Sequence, residues 1–288
     1  MIVRRDLAQR ALRAALKVRA EAGLKPWDSL CVYDLVQSRG IEVRFADIPS
    51  LEGMYWKKAE PVILLPSERP LGRQRFSCGH ELGHNMFQHG NRIDQLLAHS
   101  SGKRHSDPDE YIADCFSAFL LMPKSAVLKG FSTRNIRLNS VRAIDVYAVS
   151  CWLGVGYSTL LRHMSASLGL LKRDCVEELM KTTPKDIRRE LVGQSVDTDI
   201  VVVDDQWTGR AIDLQVGDFV LPSSTLIIEG NNVEYSRGFA CSQILTAVCP
   251  GVCRVRSRAS NWSAYVRVSR RNYVGRSIFR HLEEADDD

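Results

Sequence analysis

The spacing of apolar positions changes period along the chain, and each change predicts an element. Over residues 4–22, Leu7, Ala11, Leu12, Ala15, Leu16 and Val18 recur at three- and four-residue intervals among Arg and Lys. This predicts an amphipathic helix with a solvated basic face. Pro26-Trp27-Asp28 opens a second helical run with Leu30, Val32, Leu35 and Val36 as its buried stripe, and Gly40 ends it. Residues 41–45, a segment around Met54-Tyr55-Trp56, and residues 61–65 then read as short strands. Helical spacing returns over 72–89 and again up to Leu121, with a polar, irregular stretch at 90–105 between them. Ser106 is placed to cap the later helix, Pro108 suits its first turn, and Asp107 and Asp109 suit its dipole. Residues 141–171 are helical and interrupted at Gly154, which gives a helix–turn–helix look. The second helix of that pair would expose Ser158, Thr159, Arg162 and His163. From residue 197 the pattern turns to short β-rich runs at 200–203, 219–221, 225–229 and 233–235, with Gly230-Asn231-Asn232 as a hairpin turn.

This order predicts an α+β chain in three parts: 1–130 with a small sheet, a helical 131–192, and a strand-rich 197–288. A length of 288 residues has room for them. No apolar run approaches the roughly 20 residues that a membrane span needs. The charged N-terminus has no signal-peptide core, so a cytoplasmic protein without a membrane partner is expected. The cysteines are scattered without a small-scaffold pattern, and free thiols are expected for most of them.

Candidate chemistry lies in Cys78-Gly79-His80-Glu81-Leu82-Gly83-His84, which contains H-E-x-x-H. Two imidazoles four residues apart on a helix share a face. His80 and His84 can thus reach one zinc ion, Zn2+, with Glu81 beside it as general base. Gly79 and Gly83 each cost up to about 1 kcal/mol against Ala inside a helix, which signals close approach by another element. A third ligand is needed, and Glu110 on the next helix is the candidate. Asp114, one turn further on the same face, can accept a hydrogen bond from the outer N–H of a zinc-binding His. Both could instead be early-helix charges favoured by the dipole. Cys78 and Cys115 face away from the ligands and read as buried small residues. His89 reads as a C-terminal His that satisfies the helix dipole. His99, His105 and Tyr111 are weaker candidates for polarising a carbonyl.

His80-Glu81-Leu82-Gly83-His84, followed by Glu110-x-x-Ala113-Asp114-x-Phe116-x-Ala118-x-Leu120-Leu121-Met122-Pro123, resembles the ImmA/IrrE family of zinc metallopeptidases. The resemblance implies a zincin-like domain with a small antiparallel sheet, in which His80, His84 and Glu110 bind zinc and Glu81 is the base. It also implies a substrate, a helix–turn–helix transcriptional repressor whose cleavage derepresses stress or anti-phage defence genes. In zincin-like enzymes an exposed edge strand pairs with the substrate backbone, and the segments at Gly53-Met54-Tyr55 and Pro61-Val62-Ile63 are the candidates.

Residues 252–281 hold Arg254, Arg256, Arg258, Arg267, Arg270, Arg271, Arg276 and Arg280 and no acidic residue, with Trp262, Tyr265, Tyr273 and Phe279 interleaved. Guanidinium groups beside aromatic platforms suit single-stranded DNA; the alternative is a solvated strand face balanced by the acidic tail from Glu283. The C-terminal part is expected to be an antiparallel-sheet, GAF-like sensor domain, as in the CapP-like anti-phage branch of that family, where single-stranded DNA is the activator. Cys241, Cys249 and Cys253 leave redox sensing open beside free structural thiols. The competing reading is a DNA-binding transcription regulator whose metal site is structural or vestigial.

Overall fold

A computed structural model describes residues 2–95, 107–239 and 243–282. Its contacts group the chain into two compact units. The first holds residues 1–129, 153–155 and 272–278, and the second holds 130–152, 156–271 and 279–288.

The first unit contains α1 (Ile2–Glu21), α2 (Val32–Ser38), β1 (Glu42–Ala46), β2 (Leu51–Trp56), β3 (Val62–Pro66), α3 (Leu71–Phe87), β4 (Arg92–Gln95) and α4 (Pro108–Leu121). Its sheet is mixed rather than antiparallel: β1 and β3 run parallel, Glu42 opposite Val62 through Ala46 opposite Pro66. The order is the short strand Gly275–Arg276, then β1, β3, β2 and β4. The segments at 53–55 and 61–63 are therefore both interior. The edges among the described residues are β4 and Gly275–Arg276. Residues 92–95 read as polar loop because a four-residue strand with Arg, Asp and Gln shows no alternation; pairing with β2 makes it a strand.

Other departures are local. Pro26–Asp28 is a turn, in which Asp28 accepts from the Lys25 N–H at 2.8 Å, and the helix begins only at Val32. The basic face of α1 is not wholly solvated. Arg19 is buried and donates to the carbonyls of Leu120, Lys25 and Asp28, tying α1 to the end of α4. Burial lowers its pKa to about 10, which leaves it charged at neutral pH. Asp107 caps α4 by accepting from the Asp109 N–H at 2.9 Å; Ser106 lies outside the described residues. Residues 108–132 are long and apolar enough to cross a membrane, but 61% of the qualifying window is buried in the fold. Ile112, Phe116, Leu120 and Leu121 are core.

α3 and α4 pack closely where the glycines fall. A Cβ on Gly83 would stand 3.0 Å from the Cα of Ala113, and one on Gly79 2.6 Å from Ser117 Oγ, which donates to the Phe76 carbonyl.

The second unit joins helices to two sheets. α5 (Lys124–Ser132), which begins within the first unit's residues, is followed by α6 (Ala143–Leu153), α7 (Tyr157–Ala166), α8 (Arg173–Leu179) and α9 (Pro184–Val192). α6 and α7 bend by 99° at a turn containing Gly154, whose φ is 72°. His163 is buried in α7, because its residue lies on the face with Leu160 and Met164, so it is not on the exposed face. Then come β5 (Ile200–Val203), β6 (Ile212–Gln215), β7 (Phe219–Pro222), β8 (Leu226–Glu229), β9 (Val233–Tyr235), β10 (Leu245–Ala247), β11 (Gly251–Ser257) and β12 (Ser263–Ser269). They form two sheets, β5-β7-β10-β9 and β6-β12-β11-β8. Each is mixed, not antiparallel, because β5 pairs parallel with β7 and β6 parallel with β12. Gly230-Asn231-Asn232 is no hairpin, since β8 and β9 belong to different sheets. The middle helices are tied to the strands: Tyr147 donates to the Ile200 carbonyl at 2.8 Å, and Arg134 grips Asp204 with two bonds at 2.6 and 2.9 Å.

Gly83→Ala should destabilise the first unit by about 1–3 kcal/mol through overpacking against Ala113, and Gly83→Val by more. Urea denaturation of both variants checks the order; equal stability to the parent would mean α4 yields freely.

Candidate metal centre

Three elements converge. α3 carries His80, Glu81 and His84, α4 carries Glu110 and Asp114, and β4 carries Asp94. The α3 residues lie one turn apart or adjacent and are almost fully buried. His80 Nε2 and His84 Nε2 stand 2.9 Å apart. Glu110 spans both, with Oε2 3.3 Å from His80 Nε2 and Oε1 3.4 Å from His84 Nε2. Asp94 Oδ2 lies 3.2 Å from His80 Nε2. One donor atom from each of these four residues lies within 4.8 Å of all the others. Donors about 2.0–2.1 Å from a zinc ion in a tetrahedron stand roughly 3.3 Å from one another, close to these shortest spacings.

The outer ring nitrogens settle which lone pairs face inward. His80 Nδ1 lies 2.8 Å from Asp114 Oδ1. An ionised carboxylate only accepts, so Nδ1 carries a proton, and Nε2 is the nitrogen that can turn a lone pair inward once its own proton is lost. His84 Nδ1 meets His89 Nδ1 at 2.9 Å, and His89 Nε2 lies 3.3 Å from Asp109 Oδ1. Asp109 thus holds the His89 proton on Nε2, His89 Nδ1 accepts from His84 Nδ1, and His84 Nε2 also faces inward unprotonated. Two lone pairs opposed at 2.9 Å beside two carboxylates repel unless positive charge lies among them. The donor set fits a divalent metal.

The electrostatics agree. Burial pulls the His80 imidazole down, but Asp114, Asp94 and Glu110 outweigh it and raise its pKa well above the ordinary range. Burial, then the neighbouring His80 charge, lower His84 to about 3. Burial pushes the Glu110 carboxyl up, but its hydrogen bond to His80 and the two imidazoles bring it below the usual value. The cluster favours positive charge: His84 is held neutral and Glu110 ionised, the forms a metal requires, while His80 must give up its Nε2 proton to bind one.

Glu81 is fully buried between β2 and the cluster. A Cβ on Gly53 would fall 2.3 Å from its Oε1, so the carboxylate fits only against glycine. Gly53, Asp94 and His89 escape sequence reasoning. Gly53 sits in an ordinary strand, Asp94 in what reads as loop, and His89 at a helix end. A residue pair Gly53/Glu81 has no spacing rule, since the contact is tertiary. Cys78 and Cys115 lie outside the cluster. Tyr111 lies under the Arg4 guanidinium and next to Cys115. His99 and His105 lie outside the described residues.

The arginines predicted for nucleic acid are in the second unit. Arg254 and Arg256 share the exposed face of β11, Arg258 follows it, and Tyr265 is exposed opposite Arg254 on β12. Much of the charge is engaged. Arg256 pairs with Glu229 at 2.8 Å, Arg267 with Asp213 at 2.6 Å and Arg271 with Asp218 at 2.8 Å. Arg254 donates to Ser263, and Arg270 is half-buried. Tyr273 packs edge-on against Phe45 in the first unit and is no stacking platform. Cys249 and Cys253 are free thiols; Cys241 lies outside the described residues.

A peptidase family model, the IrrE N-terminal-like domain, matches residues 36–151 and so contains every element of the metal cluster. No curated protein matches the chain.

Removing either outer partner, by Asp114→Ala or His89→Ala, should lower metal affinity about 10–100-fold, while His84→Ala abolishes stoichiometric binding. Competition with a chromophoric chelator measures both; unchanged affinity in His89→Ala would show that His84 needs no such support.

Proposed function

We propose, from the membership of residues 36–151 in the ImmA/IrrE family, that this chain is a zinc-dependent endopeptidase. The observation that carries the reading is Glu81: a buried carboxylate, lodged against Gly53, beside two inward-facing imidazoles and Glu110. His80, His84 and Glu110 would hold the ion. Zinc, when bound, polarises the peptide carbonyl and acidifies the attacking water. Glu81 takes a proton from that water as its oxygen bonds the carbonyl carbon, and passes it to the nitrogen as the C–N bond breaks. One water is consumed, and a carboxylate and an amine leave. Asp114 and the His89–Asp109 pair hold the two imidazoles in the required tautomer.

The substrate proposed is a helix–turn–helix repressor, cleaved in the cytoplasm to release stress or anti-phage genes; the family resemblance supports this. Single-stranded DNA is the proposed activator, with the strand-rich part of the second unit as sensor. The exposed Arg254, Arg258 and Tyr265 favour it, and the carboxylates on Arg254, Arg256, Arg267 and Arg271 restrict it. The bent α6–α7 pair with Arg162 exposed favours the second reading, a DNA-binding regulator.

Glu81→Gln should slow cleavage of a repressor from the same operon by about 10²–10⁴-fold with zinc retained. Gly53→Ala should act in the same direction by displacing Glu81. Gel-based cleavage with metal analysis on the same samples tests both; a normal rate in Glu81→Gln removes Glu81 as the base.

A further inference from the structure

Asp94 and the strand that carries it have no part in that chemistry. A catalytic zinc site keeps three protein ligands and one open position. Here a fourth side chain, Asp94, stands in the cluster, 3.2 Å from His80 Nε2. Its strand also covers β2, which pairs with β3 on one side and β4 on the other. The register places Asp94 opposite Gly53 and Ile93 opposite Met54, with a bulge between Leu51 and Gly53. Gly53 is the residue against which Glu81 rests. A peptide bound in extended form along β2 would set the residue opposite Gly53 beside Glu81. Asp94 stands in that position.

Resting on the peptidase reading above, we propose that β4 is an internal occupant of the substrate site. Its backbone fills the peptide-binding edge of β2, and Asp94 fills the coordination position that hydrolysis needs open. The chain is latent until β4 leaves β2, and its substrate is an extended segment that replaces β4 there. The strand is built to leave. It has four residues, and Ile93 is 63% exposed, so β4 buries little apolar surface. Arg92 pairs with Asp109 where both are part-exposed, a class of ion pair worth about 0–1 kcal/mol. Asn91 accepts from the Lys57 N–H at 2.8 Å, a further single bond. Apart from its ladder to β2 and Asp94 itself, the ties of β4 are weak beside the buried contacts of α3 and α4, so local opening at β4 precedes any loss of the ligand helices.

The test uses the full chain loaded with cobalt(II), titrated with acetohydroxamate and followed by visible absorbance, in the parent, Asp94→Ala and Ile93→Pro. Ile93→Pro removes a strand N–H and changes the identity of no side chain of the metal cluster. If β4 is closed nine-tenths of the time or more, opening it raises apparent affinity by about tenfold or more. Both variants should keep their cobalt, bind acetohydroxamate at least that much tighter and cleave unfolded casein faster. Loss of cobalt from a folded Asp94→Ala makes Asp94 an obligatory ligand and overturns the proposal. Unchanged acetohydroxamate affinity in Ile93→Pro overturns it as well, and decides the matter if Asp94→Ala does not fold. Tighter acetohydroxamate binding with no casein cleavage in any form keeps β4 as the occupant and rejects the peptidase reading. Full cleavage by the parent with unchanged binding in both variants does the reverse.

Discussion

The approach of α3 to α4 is the constraint on which the metal centre depends. His80 and His84 lie on one helix and Glu110 and Asp114 on the other, and no covalent link fixes their separation. Glu110 reaches both imidazoles at 3.3 and 3.4 Å because Gly79 and Gly83 give α4 room that a side chain would fill. One methyl group added at Gly83 would meet Ala113 at 3.0 Å and press α4, with Glu110, away from the two imidazoles. The glycines cost helix stability, about 1 kcal/mol each. Burial of Ile112, Phe116 and Leu120 along α4 offsets that cost. Arg19 adds a second clamp by holding the last turn of α4 to α1.

Given that separation, the remaining problem is electrostatic. Two imidazoles and several carboxylates are buried together, and each must present the right atom. Asp114 fixes His80 directly; His89 fixes His84 and is itself fixed by Asp109. Asp109 also pairs with Arg92 on β4, so the support of one ligand and the anchoring of the covering strand meet at one carboxylate. Any change at Asp109 therefore acts on both, and the two effects are separable only by comparing it with His89.

What was legible in the chain follows from this geometry. His80, Glu81, His84, Glu110 and Asp114 lie on two helices, and helical spacing alone puts each set on one face. The signal is local, so it survives without knowledge of the fold. Asp94, His89 and Gly53 depend on contacts between elements distant in sequence, and nothing at their own positions marks them. The same holds for the sheets. Strand existence was readable over 41–45, 61–65 and 200–203, but the parallel pairing of β1 with β3 and the insertion of Gly275–Arg276 beside β1 come from tertiary order. The arginine-rich run shows the converse limit. Its alternation was visible, but the carboxylates that engage it, Asp213, Asp218 and Glu229, sit in other strands and lay beyond any window on the run itself.

Glu81 separates a catalytic from a purely structural use of this centre. A structural metal needs its ligands and their outer partners, and His80, His84, Glu110 and Asp94 supply four donors without Glu81. A fully buried carboxylate outside the ligand set costs folding free energy by desolvation. A chain under selection for stability alone would gain by replacing it with an apolar residue, and by giving β2 a side chain at Gly53. This fold keeps both the carboxylate and the notch that admits it. The arrangement makes physical sense where a proton must be taken up beside the metal, and it places the cost of the site at the residue that hydrolysis would use.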